Sequence, residues 1–478
     1  MPSAVAKPDP RAWFGPALAF VAAVTAMRLV ALAFNHTDLF VDEAQYWLWG
    51  QHLDFGYYSK PPLIGWLLRA VTDLAGSDAP FWVRMPGAVL HGATALILGA
   101  LGARIGGRSV AIWAAVIYVT LPFAALGSVL ISTDTVMAPF YAAALLFLHR
   151  AAETRSMRDA ALAGLCAGLA FMSKYAGLYL IPGFALAALA TRDWRVGWRN
   201  LVVIAIAFAT AIAPNVIWNM THDLTTVEHT MDNVGWVRTG PALNFGSMAS
   251  FFASQFAVFG PVAMAALLIG YTQWRRSDRR GLALLSVPPL IAVMIEALLD
   301  RTYANWAIAA YFPGTVLAVM VMTRPWRWLA LASNAVIAVA IPALTVLAPW
   351  PSSGGAPLLK RWLGQSDLSR QIIAIAKSEG VPVYADNRAV LADLYYTGRD
   401  SGIVFYASPP DDRPMNYYEQ MWPLPAEFRG KILVISDEAP DCGAGPVAPV
   451  KPLKLTGTWA GKALAAYVVE AKCVRDED

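Results

Sequence analysis

The sequence predicts a polytopic α-helical membrane protein that carries a small α/β domain at its C-terminal end. Three observations predict it. The 478-residue chain is 57% hydrophobic and only 15% charged, with a mean hydropathy of +0.47, whereas a soluble domain carries about 25% charged residues. Apolar runs close to the roughly 20-residue length of a spanning helix recur as far as residue 350. Beyond Trp350, charge returns to an ordinary frequency.

The expected spans are 12–34, 82–103, 109–127, 135–149, 159–174, 176–190, 200–218, 247–270, 282–299, 305–322 and 329–349, about eleven transmembrane helices. Lys7 and Arg11 precede the first run and no clear small-residue cleavage site follows it. The run therefore reads as a retained helix, not a removed signal peptide. Basic residues cluster in alternate connections: Arg104/Arg108, Arg150/Arg155/Arg158, Arg192/Arg195/Arg199, Arg275/Arg276/Arg279/Arg280 and Arg324/Arg327. With Lys7 and Arg11 they make 16 of the 23 Lys and Arg before residue 350. This positive-inside alternation places the N-terminus in the cytoplasm and the other connections outside.

Segment 159–190 is the hardest to place. As one helix it would strand Lys174 near the bilayer centre, at a cost of at least about 2.5 kcal/mol. The basic clusters on either side both belong inside, so two crossings are expected, with Lys174 at the outer turn.

"PSSGGAP" (351–357) reads as a linker between the membrane domain, 1–350, and a soluble domain, 358–478. In the latter, "QIIAIAKSEG" has the pattern of a helix stopped by Gly380. "NRAVLADLYYTG" reads as a second helix, and "VPVYAD", "GIVFYA", "KILVISD" and "ALAAYVVEAK" as strands. An odd number of spans puts this domain in the periplasm of a bacterial inner membrane, where Cys442 and Cys473 either pair or remain two free thiols. Cys166 lies in an apolar run and reads as buried bulk.

Topology leaves Arg28, Lys60, Arg69, Arg84, Lys174, Arg238 and Arg301 at the outer face, together with Asp42, Glu43 and Asp134. Charges on one face suggest a shared site. The alternative, preferred for Arg28, Arg69 and Arg84, is an interfacial anchor that snorkels to water. For "VDEAQYWLWGQHLDFGYYSKPPL" (41–63) an anchor explains the aromatics of juxtamembrane helices. It does not explain two adjacent acids next to hydrocarbon. A desolvated carboxylate is either neutralised by a partner, for which Lys60 is the candidate, or poised as a base. Asp134, in "LISTDTVMAPF", either caps the following helix or joins the site.

Together these motifs resemble a family. The Asp42-Glu43 pair after the first span, Lys60-Pro61-Pro62, the Ser132-Thr133-Asp134 turn, "FMSKYAGL" and "ANWAIAAYF" (304–312) stand in one order on one face. They are similar to the GT-C membrane glycosyltransferases related to protein O-mannosyltransferases and aminoarabinose transferases, over about residues 12 to 322. The resemblance implies a GT-C fold and an inverting transfer of a sugar from a polyprenyl-phosphate donor to a lipid, glycan or protein acceptor at the outer face. It implies Asp42 as general base, with Asp134 and Glu43 completing the catalytic set. Lys60, Lys174, Arg301, Tyr57 and Tyr58 would meet the lipid phosphate, whose charge grows in the transition state. No cofactor is required by these residues, a divalent metal is left open, and no nucleic-acid partner is expected. Two departures stand out: Ser59 precedes Lys60 where those relatives carry Glu, and Gln45 stands where they carry Arg. The first weakens the case for a metal and the second suggests a different donor or acceptor.

His222, Asp223, Glu228 and His229 in the loop 219–246 match no compact metal-ligand spacing and read as a polar loop. "HGATALILGALG" (91–102) reads as small residues for close helix packing, since it has no phosphate-loop lysine. A secondary transporter is the alternative function; it would show internal repeats and acids near the bilayer midplane.

Overall fold

The computed structural model describes residues 12–232, 243–443 and 445–475. Lys7, Arg11, Arg238 and part of the outer loop 219–246 lie outside the described residues. The chain is a multi-pass membrane protein, and it does not divide at one point in sequence. One compact unit is Met1–Ala33, Lys60–Ile64 and Arg84–Ala343; the other is Phe34–Ser59, Gly65–Val83 and Leu344–Asp478.

In the first unit, apolar helices follow one another through polar turns. Among the described residues, seven helices are long and apolar enough to cross a membrane, or eight if one bent pair is a single span. Pro80–Thr120 contains a break at Gly107, whose φ of 73° lies in the left-handed region that glycine tolerates. Met157–Ser173 and Tyr175–Ala190 are shorter. A count of eleven rests on treating the arms about Gly107 and these two shorter helices as separate crossings. Where a straight span over 247–270 was expected, Phe245–Phe259 and Pro261–Thr272 meet at a bend of 113°. Gly260 sits at the bend with φ 84°, and a Cβ there would overlap the Asn334 side-chain oxygen.

Small residues bring the helices close. Met157–Ser173 packs along Trp198–Thr221, and a Cβ on Gly164 would overlap the Ile204 carbonyl oxygen, one on Gly168 the Ala211 methyl. Backbones that approach this closely gain dispersion contact in a medium where apolar burial drives nothing. The 91–102 run works the same way: a Cβ on Gly99 would crowd the Trp13 ring, and one on Gly92 the Thr25 hydroxyl. On their other side the helices show lipid-facing residues, such as Leu201, Ile206 and Ile217.

Arg28 and Arg84 do not snorkel. Both are buried, at 0% and 1% exposure. Arg28 donates to the Val119 carbonyl at 2.6 Å and to Ser128 Oγ at 3.0 Å. Val119 lies in the last turn of Pro80–Thr120, where carbonyls lack intrahelical partners. The guanidinium therefore ties the first helix to the end of the fourth in sequence. Arg69 is the half-exposed one, paired with Asp73 and Gln51 at 2.8 Å each.

The basic connections meet one another. Arg104 pairs with Glu153, Arg327 donates to Ser109 Oγ at 2.8 Å, and Arg280 reaches the Ala190 carbonyl at 3.4 Å.

The second unit folds the loop after the first helix, Phe34–Ser59 with Gly65–Val83, together with the C-terminal segment. After a short pair, β1 (Ser352–Ser353) with β2 (Ala356–Pro357), comes a four-stranded sheet. Its strands are β3 (Val383–Ala385), β4 (Phe405–Tyr406), β5 (Lys431–Ser436) and β6 (Ala465–Glu470), in the order β4-β3-β5-β6. β3 runs parallel to both neighbours, and β6 is antiparallel to β5. The helix Gln365–Glu379 ends on Gly380 at φ 66°, the left-handed cap. The helix Arg388–Thr397 starts on Asn387, whose side chain accepts from Ala389 N–H at 2.9 Å. Cys442 and Cys473 form a disulfide. The loop helix Val41–Gln51 packs on Arg388–Thr397, and Asp38 anchors the loop by accepting from Gln365 N–H and Ser366 Oγ at 3.0 and 2.5 Å.

Two outcomes test this packing. Gly164→Val should lower stability by roughly 1–3 kcal/mol, the cost of overpacking, seen as a lower Tm of the detergent-solubilised protein. Asp393, buried on Arg388–Thr397 and bonded to the Thr397 hydroxyl at 2.9 Å, is pushed up to about 6 by desolvation. An unfolded aspartate releases its proton near about pH 4, so folding takes up a proton between the two values. Stability from this group is thus highest at low pH and is lost as pH rises from about 4 to 6. Asp393→Asn should remove that loss, so the Tm difference between variant and wild type should grow across this window.

Candidate active site

The first group of site residues lies in the second unit. Phe40 is extended and Val41–Gln51 begins behind it; Glu43 Oε2 accepts from Phe40 N–H at 2.9 Å, the half of a capping box that does not need a polar cap side chain. That cap leaves Glu43 wholly buried and turns Asp42 outward, with 45% of its side chain exposed. Asp42 Oδ1 accepts from Arg388 Nη2 at 2.5 Å, and Arg388 Nε donates to Gln45 Oε1 at 2.9 Å. Asp42 and Gln45 stand three apart on one helix, so one guanidinium spans both. The expected partner of Asp42, Lys60, falls in the other unit.

Arg388 opens the helix that follows β3, after Asp386 and Asn387. The chain enters the sheet at β3, adds β4 on one side, then crosses to add β5 on the other. The strand order thus reverses at β3 and β5, and the carboxyl ends of parallel strands at such a reversal are where α/β folds present binding residues. Asp386 and Asp437 follow the ends of these strands; burial, with help from Asp437, raises Asp386 above the usual carboxylate range.

Tyr57 stacks on Trp49 with ring centroids 4.7 Å apart and donates to the Trp49 carbonyl at 2.7 Å. Burial pushes its hydroxyl up, so it acts as a neutral donor. Tyr58 donates to the Pro414 carbonyl at 3.0 Å. Both hydroxyls are thereby committed to backbone, and they brace the loop that carries Asp42.

The second group lies in the first unit. Ser132 caps Thr133–Thr154, accepting from Thr135 N–H at 3.3 Å, so Asp134 is free of capping duty. Its two oxygens accept from Lys174 Nζ at 2.8 Å each, and Asn305 Nδ2 donates to Oδ2 at 2.9 Å. Lys174 takes its place because Met157–Ser173 stops there and the backbone extends before a 3-10 turn. It meets a carboxylate, where sequence reasoning had it facing the lipid phosphate. Arg301, with Thr302, lines a cavity of about 560 Å³ opposite Ser247, Ser250 and Ser254. Those serines lie at positions i, i+3 and i+7 of Phe245–Phe259 and so share one face. Lys60 is half-buried before Pro61 and Pro62.

Among the described residues no three His, Cys, Asp or Glu come together as metal ligands. His222 stacks on Trp218 at 4.2 Å and donates to its carbonyl at 2.8 Å.

Sequence reasoning missed Arg388 and gave Asn305 no role. The cap and strand signals of "VPVYADNR" could have marked Arg388, since a cation opening the helix after a buried strand stands near the binding end of a parallel sheet.

The family described as "Dolichyl-phosphate-mannose-protein mannosyltransferase" matches residues 59–218. The chain is 41% identical over 472 residues to the lipid A galacturonosyltransferase RgtD of Rhizobium johnstonii, covering 96% of this chain and 98% of that one. It is 29% identical over 189 residues to the lipopolysaccharide core galacturonosyltransferase RgtA of the same organism, covering 38% of this chain and 37% of that protein. In fold it is similar to ArnT from Cupriavidus metallidurans bound to undecaprenyl phosphate, at a TM-score of 0.64 and 13% identity, covering 95% of this chain and 98% of that one. A relative matched from end to end, together with a shared fold, shows that the chain belongs to the GT-C membrane glycosyltransferases.

Proposed function

We propose that this glycosyltransferase moves galacturonic acid from a polyprenyl-phosphate donor onto lipid A or a similar envelope glycolipid. The observation that carries this reading is the 41% identity, over nearly the whole length of both chains, to a lipid A galacturonosyltransferase. The undecaprenyl phosphate bound by ArnT, similar in fold, supports a polyprenyl-phosphate donor for this reading. The transporter alternative draws no support from these relatives and is set aside.

In this mechanism the Asp42 carboxylate takes the proton of an acceptor hydroxyl as its oxygen attacks the anomeric carbon. The bond to the lipid phosphate breaks on the opposite face, so the configuration inverts. Lys60 and Arg301 are the cations proposed to meet the departing phosphate, with Ser250 as a neutral donor beside Arg301. Asp134 orients the sugar, its carboxylate fixed by Lys174 and Asn305. Glu43, Tyr57 and Tyr58 act from behind by holding the helix and loop that carry Asp42.

The proposed location is the outer face of a bacterial inner membrane, with the N-terminus cytoplasmic and the second unit periplasmic. Two features support it: the basic connections that contact one another, and a disulfide suited to an oxidising compartment.

Asp42→Asn should reduce kcat by roughly 10²–10⁴-fold, the range for loss of a general base. The assay uses polyprenyl-phosphate galacturonic acid and lipid A in detergent; undiminished transfer would remove the base role. Lys174→Met and Asp134→Asn should each depress transfer. The double variant should lose far less than the two losses combined, because the second change removes a charge already left unpaired. Additive losses would show that the pair does not act as a unit.

A further inference from the structure

Resting on the galacturonosyl reading, the geometry points to Arg388 as the residue that recognises the carboxylate of the transferred uronic acid. A galacturonosyl donor differs from a neutral hexose donor in one respect that charge can read, the carboxylate at C6. Brought close to Asp42, that carboxylate meets a like charge, and a site that accepts it needs a cation there. Among the described residues, Arg388 is the cation paired with Asp42.

Its placement suits recognition. Arg388 emerges at the carboxyl end of β3, where the strand order reverses, the position at which parallel sheets bind their ligands. Its side edge, Nε and Nη2, is held by Gln45 and Asp42. Gln45 is itself buried, at 2% exposure, so the guanidinium plane is fixed before any ligand arrives. Nη1 makes no hydrogen bond among the described residues, and 41% of the side chain is exposed. The end edge of the fork, Nη1 with the second hydrogen of Nη2, is therefore available. A guanidinium has five N–H donors in a rigid plane and can serve two carboxylates at once, which an ammonium cannot do with the same geometry. Arg388 thus screens Asp42 from the uronate and offers the uronate a bidentate partner.

The test compares two donors that differ only in this group, polyprenyl-phosphate galacturonic acid and its C6 amide, on the full-length protein in detergent with lipid A as acceptor. The readout is the ratio of kcat/KM for acid over amide, which does not depend on the fraction of active protein. Wild type should favour the acid by tenfold or more. Arg388→Gln should lose roughly 10²-fold on the acid, as expected for a charge-assisted pair, and under tenfold on the amide, bringing the ratio near one. Arg388→Lys keeps the charge without the fork and should give an intermediate ratio; it decides the matter if the glutamine variant does not fold. Equal losses on both donors, with the ratio unchanged, would overturn the proposal and leave Arg388 as a support for Asp42. A wild-type enzyme that rejects both donors yet turns over another polyprenyl-phosphate sugar would overturn the galacturonosyl reading and this proposal with it.

Discussion

A charge buried among apolar helices has no water to turn to, and this constraint shapes the membrane unit. Arg28 is answered by the Val119 carbonyl and Ser128. Asp134 is answered by Lys174 and Asn305. Each pairing joins segments far apart in sequence, so satisfying a charge also fixes which helices are neighbours. Breaking one partner leaves the other uncompensated, a larger loss than the net worth of the pair. Glycines such as Gly164 then allow the backbones to close to the distance these bonds require.

The second unit obeys a different rule. Outside the hydrocarbon, apolar burial drives folding again. The first outer loop has too few residues to form a core alone. It finds one with the C-terminal segment: Trp47 packs edge-on against Tyr396, and Trp49 against Tyr417. The aromatics that look like interfacial anchors in sequence are largely buried in this core. Asp42 is left at its surface, paired with a cation from residue 388 of the C-terminal segment.

What was legible in the sequence was whatever local pattern specifies. Helix and strand identities in the C-terminal segment, the Gly380 stop, the Asn387 cap and the break at Lys174 follow from short-range periodicity and capping. The acids Asp42 and Asp134 stood out because carboxylates beside hydrocarbon are expensive. Their partners did not, because tertiary contact chose them: Arg388 is 346 residues from Asp42, and Asn305 is 171 from Asp134. Arg28 and Arg84 were misjudged because snorkelling is the local solution, while burial needs a partner that only the fold supplies. The bend at Gly260 was hidden by continuous hydrophobicity on both sides of it, and the departure at Gln45 gains its meaning only once Arg388 is seen to bond it.

The interleaving of the two units has a consequence for biogenesis. Residues 34–59 and 65–83 leave the ribosome early, whereas the segment that completes their fold, 344–478, comes last. Through most of synthesis the Asp42 helix and its aromatics wait without their core. Asp42 can meet Arg388 only after the C-terminal segment has been made, so this ion pair is among the late contacts to form. A product cut short before residue 388 would hold the loop helix without the helix it packs on, so the fold of the second unit registers that synthesis has passed that point.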